Sequence, residues 1–517
     1  MMKRRTILAC SAAITLLMGT ACSRDEGAAG GGAGSKEMVL ALDTSPTNLD
    51  SRVGNDQGSG RMFDLIYAGL VKFTAESDHA PDLAERWEVS PDSKTITFTL
   101  RPNLTFQDGR PLTSRDVLFT YQSLMEDAFT SPKKSGYSSV ASFEAPDERT
   151  FVIHMTEPNA GIFDNLTLGI LPAGADTNVF KTTPVGAGPY KVVDFRQDEQ
   201  VVLEAFDGYH AGPPAIERIV VRVIPDATTR VLELRNRSID FVLNAIPFDA
   251  IAPFKQNNEL EVIAEPGAIY QYLAFNLKDP ILAKKEVRQA IAHGIDRGRI
   301  VNDLLLGYGA VTNTLFPPSH WAHAPNVPDY PFDQNRAKQL LDQAGYRDPD
   351  GDGPRSRFSI NYRTSTDAEA NQQAQMIQQM LKGIGVDVQI QSNEFATFYD
   401  DIQKGNYQMF SLRRAGVSDP DFYTVIFHSG SLPPEGQNRG YYVNRRLDQI
   451  LDEARSTFDR SRRRELYQEA QRILAEDVPY VSLYHRSNVA IMERELEGYT
   501  MYPSGFLLSI PDMSWGG

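Results

Sequence analysis

Cysteine is almost missing from this chain: there are two in 517 residues. That excludes a disulfide framework, a Cys-ligated zinc site and an iron–sulfur cluster. Basic residues are outnumbered, 52 against 67 acidic ones, for a formal charge of −15. Such a balance argues against nucleic acid as a partner, because phosphate binding wants a basic face. No apolar run reaches the about 20 residues that a membrane-crossing helix requires. No repeat of about 20–50 residues is visible, which excludes solenoids and propellers. The eight histidines are scattered without a partner motif, so no catalytic constellation can be read. What is present is core-forming material, 41% hydrophobic residues, in a chain long enough for about three domains of ~150 residues each.

Both cysteines lie near the N-terminus. Lys3, Arg4 and Arg5 precede an uncharged apolar stretch, residues 7–18, which is too short to span a bilayer and reads as a secretory signal. Gly19, Thr20 and Ala21 then place small residues before Cys22. This arrangement resembles the bacterial lipoprotein signal, in which the cysteine thiol takes lipid and becomes the new N-terminus. Gly19 stands where such signals usually carry Leu, and simple cleavage after Ala21 is the alternative. Residues 1–21 are therefore expected to be a signal peptide, and 22–37 a lipidated cysteine with a flexible Gly/Ala/Ser tether of roughly 20 Å reach.

From Met38 the pattern is mixed α/β. Ile96, Phe98 and Leu100 alternate with threonines as in a half-buried strand, as do Val386, Val388 and Ile390. Residues 219–224 form an apolar run stopped by Pro225. Asp333 is placed as an N-cap, with Ala337, Leu340 and Leu341 on one face and Gly345 beyond the end. Two more apolar stripes, through Ala370, Ala374, Ile377 and Leu381 and through Leu466, Ala470 and Leu474, predict further helices.

Ordered blocks then carry a family resemblance. DLAERWEVSPDSKTITFTLRPNLTFQDGRPLTSRDVLFTY (82–121), PVGAGPYKV (184–192), AFN (274–276), VRQAIAHGIDR (287–297), FDQNRAKQLLDQAGY (332–346), MLKGIGVDVQI (380–390) and VPYVSLYHR (478–486) occur in this order. Together the blocks resemble the peptide/opine/nickel class of extracytoplasmic solute-binding proteins, family 5, the receptors of ABC importers. The resemblance implies an α/β, two-lobe periplasmic binding protein-like fold of type II, with an extra subdomain in lobe 1 and the ligand in the interlobe cleft. It places lobe 1 at 38–275 with the subdomain at about 60–180, lobe 2 at 276–484, and a return to lobe 1 at 485–517. Crossings are expected near Asn276 and Tyr484. The implied activity is binding by hinge closure and delivery to a membrane permease, without catalytic residues, metal or cofactor. The partners implied are a peptide or small-molecule ligand and separate ABC permease and ATPase subunits, since this chain has no Walker motif. A monomer is expected, lipid-anchored in the periplasm or on the outer face of the cytoplasmic membrane. An exported hydrolase acting on an acidic glycan or peptide, and an envelope peptide-binding chaperone, are the competing readings.

The candidate ligand residues follow from the same blocks. Relatives carry W-x-x-D-x-x-D-P-D after the probable strand 407–412, and its first Asp accepts a peptide's α-ammonium. Aligned on Asp419-Pro420-Asp421, this chain has Arg413 at the Trp and Gly416 at that Asp. Arg413 and Arg414 favour carboxylate, sulfate or phosphate, so the ligand is expected to be anionic rather than an ordinary free-N-terminus peptide. Alternatively both arginines face solvent or pair with acids, and Asp419 takes the ammonium. Arg363 falls close to a carboxylate-binding arginine of dipeptide-binding relatives; an exposed position between strand and helix is the other reading. Asn438 and Tyr442 lie in a run that borders the cleft in relatives and offer hydrogen bonds and a stacking face, or loop packing. Four motifs are set aside: the calcium-like turn from Asp348, the pair His320 and His323, the phosphate-loop mimic around Gly186 and Gly188, and the S-x-x-K spacing from Ser131 to Lys134.

Overall fold

Alternating apolar residues build one sheet that runs through both lobes. The structure, a computed structural model, describes residues 37–351, 353–414, 418–434 and 436–516. Residues 1–21, expected to be a signal, together with Cys22 and Gly416, lie outside the described residues. In Glu37–Leu42, Met38, Leu40 and Leu42 enter one core and Ala41 the opposite one, as a strand's period of two requires. This strand is parallel to Arg218–Val223 and Phe241–Leu243, and Gln200–Ala205 and Tyr190–Arg196 extend the sheet antiparallel at its edge. At the other end Val386–Asn393, Phe358–Ser365 and Met409–Arg414 run parallel to one another.

Two long antiparallel strands, Leu260–Phe275 and Tyr480–Glu493, join these halves. At one end they pair with Phe241–Leu243, and at the other with Met409–Arg414. Their pairing slips between Pro266 and Ile269, where Pro266 has no N–H to give and a Cβ on Gly267 would meet Asn488 Oδ1 at 2.7 Å. Asn276 follows the first of these strands directly, its N–H donating to the Gln408 carbonyl at 2.9 Å, and Tyr484 lies within the second, opposite Gln271.

The subdomain is a four-stranded antiparallel sheet, Ala84–Val89, Thr95–Leu100, Thr150–Met155 and Val140–Glu144 in spatial order, with its own core around Phe98, Tyr121 and Phe151. It also touches lobe 2. Asp164 bonds His79 Nε2 at 2.9 Å and accepts from Ser418 Oγ at 2.6 Å, Arg460 pairs with Asp78 at 2.5 Å, and Ala160 N–H donates to the Arg455 carbonyl at 2.8 Å.

The helices start where capping groups stand. Asp333 accepts the Arg336 N–H at 2.9 Å at the head of Gln334–Gln343, and Gly345 follows at φ +90°. Asp367 caps Ala368–Lys382 in the same way. Leu466, Ala470 and Leu474 are buried along Arg460–Asp477.

Candidate functional site

The crevice of lobe 2 opens at a reversal in strand order. From Phe358–Ser365 the chain passes through Ala368–Lys382 to the outer strand Val386–Asn393. It returns through Phe395–Lys404 to Met409–Arg414 on the inner side. The two helices cover opposite faces of the sheet, Ile377 and Leu381 in one core and Phe398 and Ile402 in the other. Both point their N-termini at the carboxyl ends of the parallel strands, the position where open α/β sheets bind ligands. The cleft there has a volume of about 530 Å³.

Its floor is a closed polar network. Ser411 Oγ accepts from Gln271 Nε2 at 2.7 Å and Gln373 Nε2 at 2.8 Å, and donates to the Tyr272 carbonyl at 2.9 Å. Tyr484 donates to Gln373 Oε1 at 2.9 Å. Burial pushes the Tyr484 hydroxyl far above its ordinary value, so it stays neutral. Fully paired networks of this kind hold their side chains in one orientation.

Charges of both signs stand on the rim. Glu369 takes Arg486 Nη1 on both oxygens at 2.8 Å and Arg413 Nη1 at 3.3 Å. Two guanidiniums therefore share one carboxylate, and Arg413 is 46% exposed along the cleft wall. Asp367 and Glu394 supply the negative groups at the helix starts, the former engaged as a cap.

The six residues singled out in the sequence are not brought together. Arg413 and Arg414 belong to the strand Met409–Arg414, paired with Gln271 and Tyr270, rather than to the loop after it, so their side chains leave opposite faces. Arg414 donates to Gln437 Oε1 at 2.9 Å and lies over the Phe422 ring at 5.2 Å. Arg363 is in register with Phe410 and is held by Asp401 at 3.3 Å, on the face away from Arg413. Asp419 is 8% exposed and binds Arg463 Nη2 with both oxygens at 3.1 Å. Burial alone would raise its carboxyl; the Arg463 charge and the Asp421 N–H outweigh it and hold it below the ordinary value. Asn438 is fully buried, donating to the carbonyls of Tyr442 at 2.7 Å and His428 at 3.1 Å. Tyr442 donates to Asp477 Oδ2 at 2.5 Å. These last two brace the loops of lobe 2.

Two of the four motifs set aside have structural duties. His320 Nε2 meets the Ser418 carbonyl at 2.7 Å while Nδ1 accepts the Ala322 N–H at 3.1 Å, anchoring the loop beside Asp419. Gly186 and Gly188 pass against the end of Gln57–Ile66, where a Cβ would sit 2.1 Å and 2.5 Å from backbone atoms. Sequence reasoning missed Glu369, Arg486, Gln271, Gln373, Ser411 and Tyr484. The one available signal was the pair Gln271 and Ser411, polar positions inside otherwise apolar strands.

Residues 79–432, most of the chain, match the family described as bacterial extracellular solute-binding proteins, family 5 Middle. The chain belongs to the bacterial extracellular solute-binding proteins, family 5. Among relatives of this family, the oligopeptide-binding protein AppA of Bacillus subtilis is 28% identical over 496 residues, covering 92% of this chain and 90% of AppA. The structure of AppA in complex with a nonapeptide matches with a TM-score of 0.71 at 26% identity, over 93% of this chain and 99% of AppA. HbpA2 from Haemophilus parasuis matches with a TM-score of 0.84 at 25% identity, over 93% and 99%. AgaA from A. tumefacien R10, in complex with agropinic acid, has a TM-score of 0.71 at 26% identity, over 93% and 99%. Family membership makes this chain an extracellular solute-binding protein. Among the described residues no helix is long and apolar enough to cross a membrane.

Proposed function

We propose that this protein is the extracytoplasmic receptor of an ABC importer for a peptide-like or opine-like solute that carries an acidic group. The observation that carries the reading is Glu369 shared by Arg413 and Arg486, so that two guanidiniums meet one carboxylate there, while Asp367 is engaged as a helix cap and Glu394 stands at the start of the other helix. Support comes from the same loop. The carboxylate Asp419 is engaged by Arg463, and Gly416 replaces the acid that holds a peptide ammonium in relatives. The names of AppA and AgaA supply the solute class, a peptide in one and an organic acid in the other. On this reading the solute rests on the floor formed by Gln271, Gln373, Ser411 and Tyr484. The lobes close over it about the two long strands, and the closed form docks on the permease. Cys22 carries the lipid that keeps the monomeric receptor at the outer face of the cytoplasmic membrane or in the periplasm.

Native mass spectrometry of protein purified without refolding tests this directly, because a closed receptor retains its solute. Recovery of an acidic compound without a free peptide N-terminus is expected, and recovery of ordinary peptides overturns the reading. Titration of that compound into Arg413→Ala should show at least about tenfold weaker binding, as expected for loss of a charge-assisted contact. Arg414→Ala, on the other face of the strand, should bind as wild type.

A further inference from the structure

A second cavity, of about 480 Å³, lies between the helix Gln57–Ile66 and the subdomain. Aromatic rings dominate its wall: Phe63, Tyr67, Phe73, Tyr137 and Phe506, with Phe73 and Phe506 stacked at 5.4 Å. Its carboxylates have partners. Asp82 accepts the Gly69 N–H at 3.0 Å and faces His210 Nε2 at 3.1 Å. Asp164 is held by His79 and Ser418, and Asp64 accepts the Leu507 N–H at 2.8 Å.

Lys133 is different. Its ammonium donates to the Ser51 carbonyl and lies over the Phe63 ring at 4.8 Å. The carboxylate that acts on it, Asp50, is taken by Arg52 through bonds of 3.0 and 2.7 Å. Among the described residues no carboxylate pairs with Lys133. Burial lowers its pKa to about 8, and the Asp50 charge, shared with Arg52, offsets that only in part. An ammonium in an aromatic wall is a costly filler unless an anion meets it there.

We propose that this cavity takes an aromatic or other apolar group of the solute and that Lys133 binds an acidic group beside it. The inference rests on the receptor reading above and sharpens it: the solute has two acidic groups, one for Arg413 and one for Lys133, flanking an apolar part. Asp164 at the rim of this cavity accepts from Ser418 Oγ, four residues beyond the end of the strand that carries Arg413.

The probe is 1,4-phenylenediacetate, whose two carboxylates flank an aromatic ring, with its diamide as the uncharged control, titrated calorimetrically into the full-length protein. Wild type should bind the diacid at least about tenfold more tightly than the diamide. Lys133→Met, which keeps length and apolar packing, should lose about tenfold or more in affinity for the diacid, and Lys133→Arg should restore most of it. Undiminished binding by Lys133→Met together with loss in Arg413→Ala overturns this inference and leaves the receptor reading intact. Loss in Lys133→Met with none in Arg413→Ala supports the inference and overturns the role given to Arg413. Failure of wild type to prefer the diacid overturns the two-acid solute.

Discussion

Replacing Asp419 with Asn should damage the fold rather than recognition. The pair it forms with Arg463 is 8% exposed on both sides, with two contacts of 3.1 Å, so water screens it little. Charges about 4 Å apart at an effective dielectric of about 20 interact by about 4 kcal/mol. Removing one partner strands a buried guanidinium that also lies 5.5 Å from the Trp321 and Tyr467 rings, and such broken pairs typically cost about 3–5 kcal/mol. For a cooperative unit of about 150–250 residues this lowers Tm by roughly 10 °C. Thermal unfolding followed by circular dichroism should show that drop for Asp419→Asn. The double variant Asp419→Leu, Arg463→Met should recover much of it, because both charges leave together. Solute affinity measured below the variant's transition should stay within about twofold of wild type, the scatter expected for a residue that touches no ligand. An unchanged Tm with affinity lost specifically for amine-bearing solutes would refute the reasoning, since Asp419 would then be a ligand group rather than a brace.

Three further outcomes follow from the geometry. Gly188→Ala places a Cβ 2.5 Å from the Tyr67 backbone, which cannot yield; chemical denaturation should show a loss of at least about 2 kcal/mol. Burial raises the Asp64 carboxyl to about 7, above its unfolded value of 3.8. The folded state therefore holds the proton over that interval, and stability falls as pH rises from about 4 to 7. Asp64→Asn should remove that component, up to about 4 kcal/mol, in the difference between the two pH profiles; parallel profiles would contradict it. The double variant Ser418→Ala, Arg460→Ala removes two side-chain links between subdomain and lobe 2, worth about 1–2 kcal/mol together. Small-angle scattering of solute-free protein should show a larger radius of gyration, and an unchanged curve would deny the links a part in setting lobe separation.

Much of the fold was legible because it is local or repeated. The helix start at Asp333 and the alternation in Thr95–Leu100 depend on a few neighbouring residues, and ordered blocks along the chain carry the family. The candidate site was legible only at Arg413. Ending a strand by pattern near Leu412 put two arginines in a loop with common prospects; two more residues of pairing, to Gln271 and Tyr270, sent them to opposite faces. Arg363 failed to join Arg413 for the same reason, a parity set by the register with Phe410.

By itself the sequence determined the α/β class, several of the strands and helices, and the membership in a family of binding proteins. These follow from periodicity, caps and motif order, all of which are properties of one stretch of chain at a time. Tertiary structure alone decided which charges are free. Asp419 looks like Glu369 in one dimension, yet one is closed off by Arg463 from the helix Arg460–Asp477 and the other is shared by Arg413 and Arg486 at the cleft. Lys133, read in sequence as part of a chance spacing, has no carboxylate bonded to it among the described residues, since Arg52 claims Asp50 beside it. Pairing between residues far apart in the chain sets the electrostatics of a cleft, and no linear pattern encodes it.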